Sequence, residues 1–148
     1  MYRLSAIALS LLACVFLATS VWSAETYDRV MEDKVIRAGI MTDSIPGAFY
    51  NQNKEWVGFD VDIDEESADR LGCELERVPV NNKTRIAFVQ QGRIDMSVAN
   101  MTHKRERDKS IDFSITYFFD GQKFLAKKGK YDEWEDFVGK KIATMQGT

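Results

Sequence analysis

Hydrophobic and polar residues alternate in blocks along the chain, and these blocks predict three strands separated by two helices. Residues 34–41, 73–80 and 93–99 each have the short apolar or alternating pattern of a strand. Residues 60–71 and a shorter segment ending at Gly92 have helical spacing, and a glycine closes each of them. This order predicts an α/β unit with right-handed connections and a largely parallel sheet.

The remaining stretches carry weaker patterns. We expect extended segments at residues 55–59, 111–119 and 122–126, a short exposed helix at 103–110, a helical turn at 134–138 and a final strand at 141–145. Asp60 and Asp62 stand at the start of the first helix. They are interpreted as its N-terminal caps rather than as metal ligands or a catalytic pair.

The N-terminus has the three-part pattern of a secretory signal peptide. Arg3 provides a positive flank, residues 7–17 are almost continuously apolar, and small residues precede the charged segment that begins at Glu25. The apolar core is shorter than the roughly 20 residues that cross a bilayer. Residues 1–24 are therefore predicted to be a signal peptide, which places the mature chain in the periplasm. Cleavage after Ser23, which Val21 favours, and cleavage after Ala24 both fit the sequence.

Composition and charge exclude several classes of function. The net charge of −3 and the lack of a long basic run disfavour a nucleic-acid partner. One histidine, no Cys/His cluster and no phosphate-binding glycine loop argue against hydrolytic, zinc and nucleotide chemistry, so we expect no catalytic residues, no metal and no cofactor. After cleavage, Cys73 is the single cysteine, which excludes an intrachain disulfide.

Short motifs occur in a regular order from residue 57 to the end of the chain. They are VGFDVDI at 57–63 with RLG at 70–72, RI at 85–86 with GRID at 92–95, ANMT at 99–102 with Arg105, DFS at 112–114 with Tyr117, and FVGKKIA at 137–143 with QGT at 146–148. Together these motifs resemble the polar-amino-acid class of periplasmic solute-binding proteins, the bacterial extracellular solute-binding protein family 3. Members of that family are the receptors of ABC importers.

The resemblance implies the type II periplasmic-binding-protein fold, an α/β fold in which two lobes joined by crossing strands close on a solute. Residues 25–128 would be the first pass of lobe 1 with the first crossing strand, and residues 129–148 the start of a truncated lobe 2. Closure of this kind makes the ligand a bridge between the lobes. We therefore expect the 148-residue polypeptide to bind amino acids weakly or not at all.

Arg105 is the leading candidate for ligand binding. Its own context, the charged run of residues 103–109, is typical of a solvated surface. The resemblance implies instead that Arg105 is the arginine that clamps the α-carboxylate of the solute, because a guanidinium can form two parallel hydrogen bonds with a carboxylate.

Further contacts are implied at strand ends and loops, where ligands dock on open parallel sheets. The candidates are Asn100, Val98 through its backbone, Asp43 and Ser44 after the first strand, Asn82, and Thr148 as the first lobe 2 residue to reach the carboxylate. Asp43 has an equally good interpretation as a turn-stabilising residue. In the first helix, Asp64, Glu65 and Ser67 depart from the small or apolar residues of the family, which predicts a less well packed inner face.

The leading hypothesis is a monomeric, non-enzymatic receptor that captures an amino acid and presents it to an inner-membrane ABC permease. The alternative is a periplasmic enzyme on the same fold, either a cyclohexadienyl or arogenate dehydratase or a module that precedes a lytic transglycosylase, because a fold does not determine a function. A third possibility is the sensor module of a membrane receptor.

Overall fold

A parallel three-stranded sheet forms the centre of the computed structural model, which describes the backbone of residues 22–146 and the side chains of residues 25–146. Most of the predicted signal peptide, and Thr148, lie outside the described residues. The helices are α1 (Trp22–Asp33), α2 (Phe59–Leu71) and α3 (Arg85–Gln90), with 3₁₀ turns at Arg107–Lys109 and Trp134–Phe137. The strands are β1 (Val35–Ile40), β2 (Asp43–Ser44), β3 (Ala48–Tyr50), β4 (Trp56–Val57), β5 (Glu74–Pro79) and β6 (Met96–Val98).

The central sheet has the order β5-β1-β6, and both pairings are parallel. Strand β1 lies in the middle, pairing Val35 with Glu74 at one end and Ile40 with both Pro79 and Val98 at the other. Since β1 is covered on both sides, its later residues are buried, as is expected for a central parallel strand. The predicted strand–helix order and the parallel sheet are thus confirmed.

A second, antiparallel sheet is formed by β2, β3 and β4. The turn between β3 and β4 is held by the Asn51 side chain, whose Oδ1 accepts hydrogen bonds from the backbone N–H groups of Asn53 and Glu55. The extended return at residues 55–59 agrees with β4. Strands β2 and β3 were not predicted, because each is too short to establish a period.

Helix α2 begins differently from the prediction. Its N-cap residue is Gly58, no side chain caps it, and both Asp60 and Asp62 lie in the first turn, so the interpretation of these aspartates as caps is wrong. Gly58 has φ 129°, and a Cβ there would collide with the carbonyl oxygens of Pro46 and Gly47. The close approach of the hairpin therefore selects a glycine where a capping side chain would otherwise stand.

The glycines that end the two helices behave as predicted. Gly72 is in the left-handed conformation with φ 63°, and the Cys73 N–H returns to the carbonyl of Ala68 at 3.0 Å. Gly92 has φ 64°, after α3.

The inner face of α2 packs better than its composition predicts. Val61 and Ala68 are buried in two apolar clusters, one built around Ile40 and the other around Ile36. Asp64, between them, is fully buried, and Arg77 on β5 holds it with hydrogen bonds of 2.8 and 3.1 Å. The aspartate is therefore accommodated by an ion pair rather than left against apolar atoms.

Helix α1 was not predicted, because the segment that follows the expected cleavage site has few apolar residues. Its Val30 is 4% exposed against Ile36 and Ala68. Arg29 on α1 and Arg37 on β1 both bind the carboxylate of Asp95, which connects α1 to β1 and to the residue before β6.

After β6, the described residues have little regular structure. The predicted strand at 141–145 is wrong, and neither 111–119 nor 122–126 joins a sheet. The helix predicted at 103–110 is reduced to the 3₁₀ turn Arg107–Lys109, whereas the helical turn predicted at 134–138 agrees with the 3₁₀ turn Trp134–Phe137. Large apolar side chains here are exposed, among them Ile115, Phe119 and Leu125 at 86–102%. A strand pattern needs a neighbouring strand, and the described residues offer none to these segments.

None of the described helices is long and apolar enough to span a bilayer.

Candidate functional site

A polar cleft of about 330 Å³ opens beyond the carboxyl ends of the three parallel strands. We name it the polar cleft, and its lining residues are Met41, Asp43, Ser44, Asn82, Arg85, Asn100, Thr102, Asp120, Gln122 and Met145. The first of these directly follows β1, while Asn82 and Asn100 follow β5 and β6. The position agrees with the general rule that ligands bind at the carboxyl edge of open α/β sheets.

Four of the predicted ligand residues meet in the polar cleft. Asp43 and Ser44 form β2 and enter from the hairpin side. Asn100 has φ 49°, a left-handed conformation that asparagine tolerates better than most residues, and it turns the chain directly after β6. Asn82 contributes its side-chain amide, which donates to the Met145 sulfur. These four residues bring a carboxylate, a hydroxyl and two amides to the cleft.

Arg85 is the residue that sequence reasoning missed. It is 2% exposed, and its Nη1 donates to the carbonyls of Ala99 at 2.6 Å and Asn100 at 3.1 Å. Burial lowers the pKa of the Arg85 guanidinium, and the positive charge of Arg107 lowers it further. Because arginine ordinarily titrates above pH 12, the group still carries its charge at neutral pH.

The position of Arg85 follows from the local structure before it. The Asn81 Oδ1 accepts hydrogen bonds from the backbone N–H groups of Lys83 and Thr84, which forms the turn that starts α3. Arg85 is the first residue of that helix. The RI motif at residues 85–86 was the one sequence feature that pointed to Arg85. The motif did not show that the Arg85 side chain would turn inward to the end of β6.

The other predicted ligand residues lie elsewhere. The Arg105 side chain is exposed on a turn and does not line the polar cleft. Val98 is 6% exposed within β6, so only its backbone is suited to polar contact. Thr148 lies outside the described residues. The roles of Arg105, Val98 and Thr148 in binding stay predictions.

Comparison with known proteins places these features in context. The sequence model of the bacterial extracellular solute-binding proteins, family 3, matches residues 36–146. The glutamine-binding protein GlnH of a Bacillus subtilis ABC transporter is 37% identical over 130 residues, which are 84% of this chain and 48% of that protein. The chain thus spans about half the length of the curated relatives it matches.

Two solved structures share the fold. The arginine-bound form of domain 1 from TmArgBP has a TM-score of 0.60 and 35% identity, over 62% of this chain and 72% of that one. The ancestral amino acid-binding protein AncCDT-1, a precursor of cyclohexadienyl dehydratase, has a TM-score of 0.60 and 34% identity, over 63% and 41%.

Proposed function

Because the chain belongs to the bacterial extracellular solute-binding proteins of family 3, we propose that it is an exported receptor that binds an amino acid in the polar cleft and delivers it to an inner-membrane ABC permease. Its sheet and hairpin have the type II periplasmic-binding-protein fold. We assign residues 25–128 to lobe 1 and the first crossing strand, and residues 129–148 to the start of lobe 2. Cleavage of residues 1–24 would release a monomeric receptor into the periplasm.

The observation that carries this proposal is the pairing of opposite charges in one cavity. Asp43 and Asp120 bring carboxylates to the polar cleft and Arg85 brings a guanidinium, so charges of both signs are present in the same 330 Å³. A free amino acid is a zwitterion, and its ammonium and carboxylate groups match these two charges. The volume is at the lower end of the roughly 300–1,000 Å³ of small-molecule sites.

Two arginines are candidates for the carboxylate contact. The resemblance favours Arg105, which is exposed, whereas the geometry favours Arg85, which is buried in the cleft. When a second lobe closes over the cleft, Arg105 would contact the ligand only if the turn that carries Arg105 moves toward the ligand. Arg85 needs no such movement, since it already lines the cavity.

Isothermal titration of the purified chain with glutamine, glutamate and arginine tests the proposal. The related domain 1 of TmArgBP is described in an arginine-bound form, which favours weak but measurable binding by a single lobe over the absence of binding that the sequence also allowed. Asp43→Asn should reduce the association constant about 10-fold or more, because a charge-assisted hydrogen bond is lost. Asp62→Asn, a matched change on the exposed side of α2, should leave it unchanged.

Arg105→Ala separates the two arginines. Loss of binding would identify Arg105 as the carboxylate clamp, and retained binding would leave that role to Arg85. No heat from any of the three amino acids at millimolar concentration, with the chain folded by circular dichroism, would contradict the proposed site.

An enzymatic alternative rests on the neighbouring ancestral cyclohexadienyl dehydratase, with a TM-score of 0.59 and 30% identity. Curated relatives named as binding proteins include GlnH of Bacillus subtilis, the glutamate/aspartate protein of Salmonella typhimurium and TcyJ of Escherichia coli, and we therefore propose a non-enzymatic role that needs no cofactor. Incubation with prephenate, followed by the absorbance of phenylpyruvate, should give no turnover above the uncatalysed rate.

A further inference from the structure

A second cavity of about 470 Å³ lies beside the polar cleft, and the proposed amino-acid site does not account for it. We name it the aromatic cavity. Its walls are the hairpin turn of residues 45–47, the start of α2 at Phe59 and Asp60, the segment 100–103, and the segment 113–120. It shares Asn100, Thr102 and Asp120 with the polar cleft, but its floor is different.

The floor of the aromatic cavity carries a buried carboxylate. Asp60 is 3% exposed, and among the described residues its Oδ2 has no hydrogen-bond partner. Its Oδ1 accepts a hydrogen bond from the Tyr117 hydroxyl at 3.3 Å, which is long for an O–H donor. Within the same part of the chain, no lysine, arginine or histidine forms an ion pair with Asp60.

The electrostatic environment of this carboxylate is correspondingly unfavourable. Burial raises the pKa of Asp60, and only the Tyr117 hydroxyl and the Asn100 backbone N–H oppose that shift. Burial, together with the nearby Asp60 charge, raises the pKa of Tyr117 to about 12, so the phenol stays neutral at pH 7. A buried charge that is not paired costs several kcal/mol in general, and a cation that entered the cavity would offset this cost.

Aromatic rings line the way to the carboxylate. The centroid of Phe59 lies 6.1 Å from that of Tyr117 and 5.7 Å from that of Phe118, with tilted planes. Phe59 is 41% exposed and Phe118 57% exposed, so neither ring is sealed in the core, and both line the cavity. Ring faces attract organic cations within about 6 Å, most strongly where water is excluded.

We propose that the aromatic cavity binds an organic ammonium group, with Asp60 as its counter-ion and the rings of Phe59 and Tyr117 beside it. The ammonium donates to the carboxylate and to a lone pair of the Tyr117 oxygen, whose proton already points to Asp60. A divalent metal ion is a poorer occupant, since the described residues contain no group of three carboxylate, histidine or cysteine side chains around one point. The hydrocarbon part of an amine fits the rings.

Titration of the purified chain with 2-phenylethylammonium, followed by isothermal calorimetry, tests the proposal. The anion 3-phenylpropionate has nearly the same shape and the opposite charge, and it should not bind at this site. Asp60→Asn should lower the association constant for the amine about 10- to 100-fold, the equivalent of a lost charge-assisted hydrogen bond. Asp62→Asn removes an exposed carboxylate from the same helix turn and should leave binding unchanged.

A second variant, Gly47→Ala, narrows the aromatic cavity and leaves the charge of Asp60 in place. A Cβ added at Gly47 would lie 3.0 Å from Oδ2 of Asp60 and 3.4 Å from its Cγ, so Gly47→Ala narrows the cavity at the carboxylate without removing it. The Gly47 backbone is not in the left-handed region, so its conformation admits alanine, and the added Cβ would also lie 3.3 Å from the carbonyl oxygen of Ser44. Binding of the amine should fall at least about 10-fold while the circular dichroism spectrum is retained.

Three results would overturn the proposal: no binding of 2-phenylethylammonium to the wild-type chain, equal binding of 3-phenylpropionate, or unchanged binding in both Asp60→Asn and Gly47→Ala. Displacement of the amine by glutamine is a fourth such result, because it would place both ligands in the polar cleft and contradict a separate site.

Discussion

Helix α2 buries two aspartates one turn apart, and their surroundings differ in one respect. Asp64 is fully buried against β5, where the Arg77 guanidinium grips both of its oxygens. Asp60 is 3% exposed at the start of the helix, where its one side-chain partner is the neutral Tyr117. One carboxylate is compensated inside the fold, and the other faces a cavity.

The comparison assigns a structural role to Asp64 and a role in the proposed ligand site to Asp60. Burial raises the pKa of Asp64 as well, although Arg77 opposes that shift through a hydrogen bond and its charge. For Asp60 no cation opposes it. A buried charge without a partner works against stability, and such sites are expected where a fold serves a ligand rather than its own packing.

The largest change in the free energy of unfolding is expected when Asp64 loses its ion-pair partner, Arg77. Arg77→Met should destabilise the chain by about 3–5 kcal/mol, because it leaves the Asp64 charge buried without a counter-ion. Urea denaturation followed by circular dichroism measures the change. The matched control is Arg70→Met, whose pair with Glu66 is exposed on both sides and should cost less than about 1 kcal/mol. Equal losses in the two variants would show that the Asp64 pair has no special weight.

A smaller change of opposite sign, an increase in the free energy of unfolding, is expected when Asp60 is replaced, because Asp60 has no ion-pair partner among the described residues. The pKa of Asp60 is raised in the folded chain, so the folded state holds its proton to higher pH than the unfolded chain does. The free energy of unfolding therefore decreases as the pH rises from about 4, the ordinary pKa of aspartate, through the pKa that Asp60 has in the folded chain.

The asparagine in Asp60→Asn cannot ionise. The free energy of unfolding of this variant, relative to that of the wild type, should therefore rise from acid to neutral pH by on the order of 1 kcal/mol. Melting temperatures measured from pH 3.5 to pH 7 provide the test. A variant that loses stability equally at every pH would indicate that Asp60 is held by its hydrogen bonds and that its charge has no cost.

The smallest effect is expected for the hydroxyl that reaches Asp60. Tyr117→Phe keeps the ring contacts with Phe59 and removes one 3.3 Å hydrogen bond, so it should cost about 0.5–1 kcal/mol. Tyr131→Phe is a suitable control, because Tyr131 stacks on Phe137 in a segment without regular structure. In the double variant with Asp60→Asn, the two effects should fail to add if the hydroxyl and the carboxylate interact.

The two halves of the chain were predictable to different degrees. From β1 to β6, apolar periodicity and two terminal glycines predicted the three strands of the parallel sheet and the two helices between them, although not the short strands β2 and β3. The strand predicted at 141–145 had the same kind of pattern and is not formed. Periodicity reports which face a segment would bury, whereas a strand also needs a neighbour to pair with.

The candidate site shows the same division. The resemblance to the family implied Asp43, Ser44, Asn82 and Asn100 as ligand residues, and they lie near one another because they follow strands whose carboxyl ends meet at one edge. Arg85 could not, since its first helical position says nothing about the direction of its side chain. Its contact with the end of β6 depends on the packing of α3 against the sheet.

By itself, the sequence determined the order of elements, the places where helices end, and the family motifs, because each of these depends on residues close together in the chain. The tertiary structure alone decided which charges are compensated. Asp64 meets Arg77 thirteen residues away because β5 packs under α2, and Asp60 meets Tyr117 fifty-seven residues away across a cavity. Both aspartates belong to the same polar pattern on one helix, and only packing distinguishes a carboxylate that completes the fold from one that is open to a ligand.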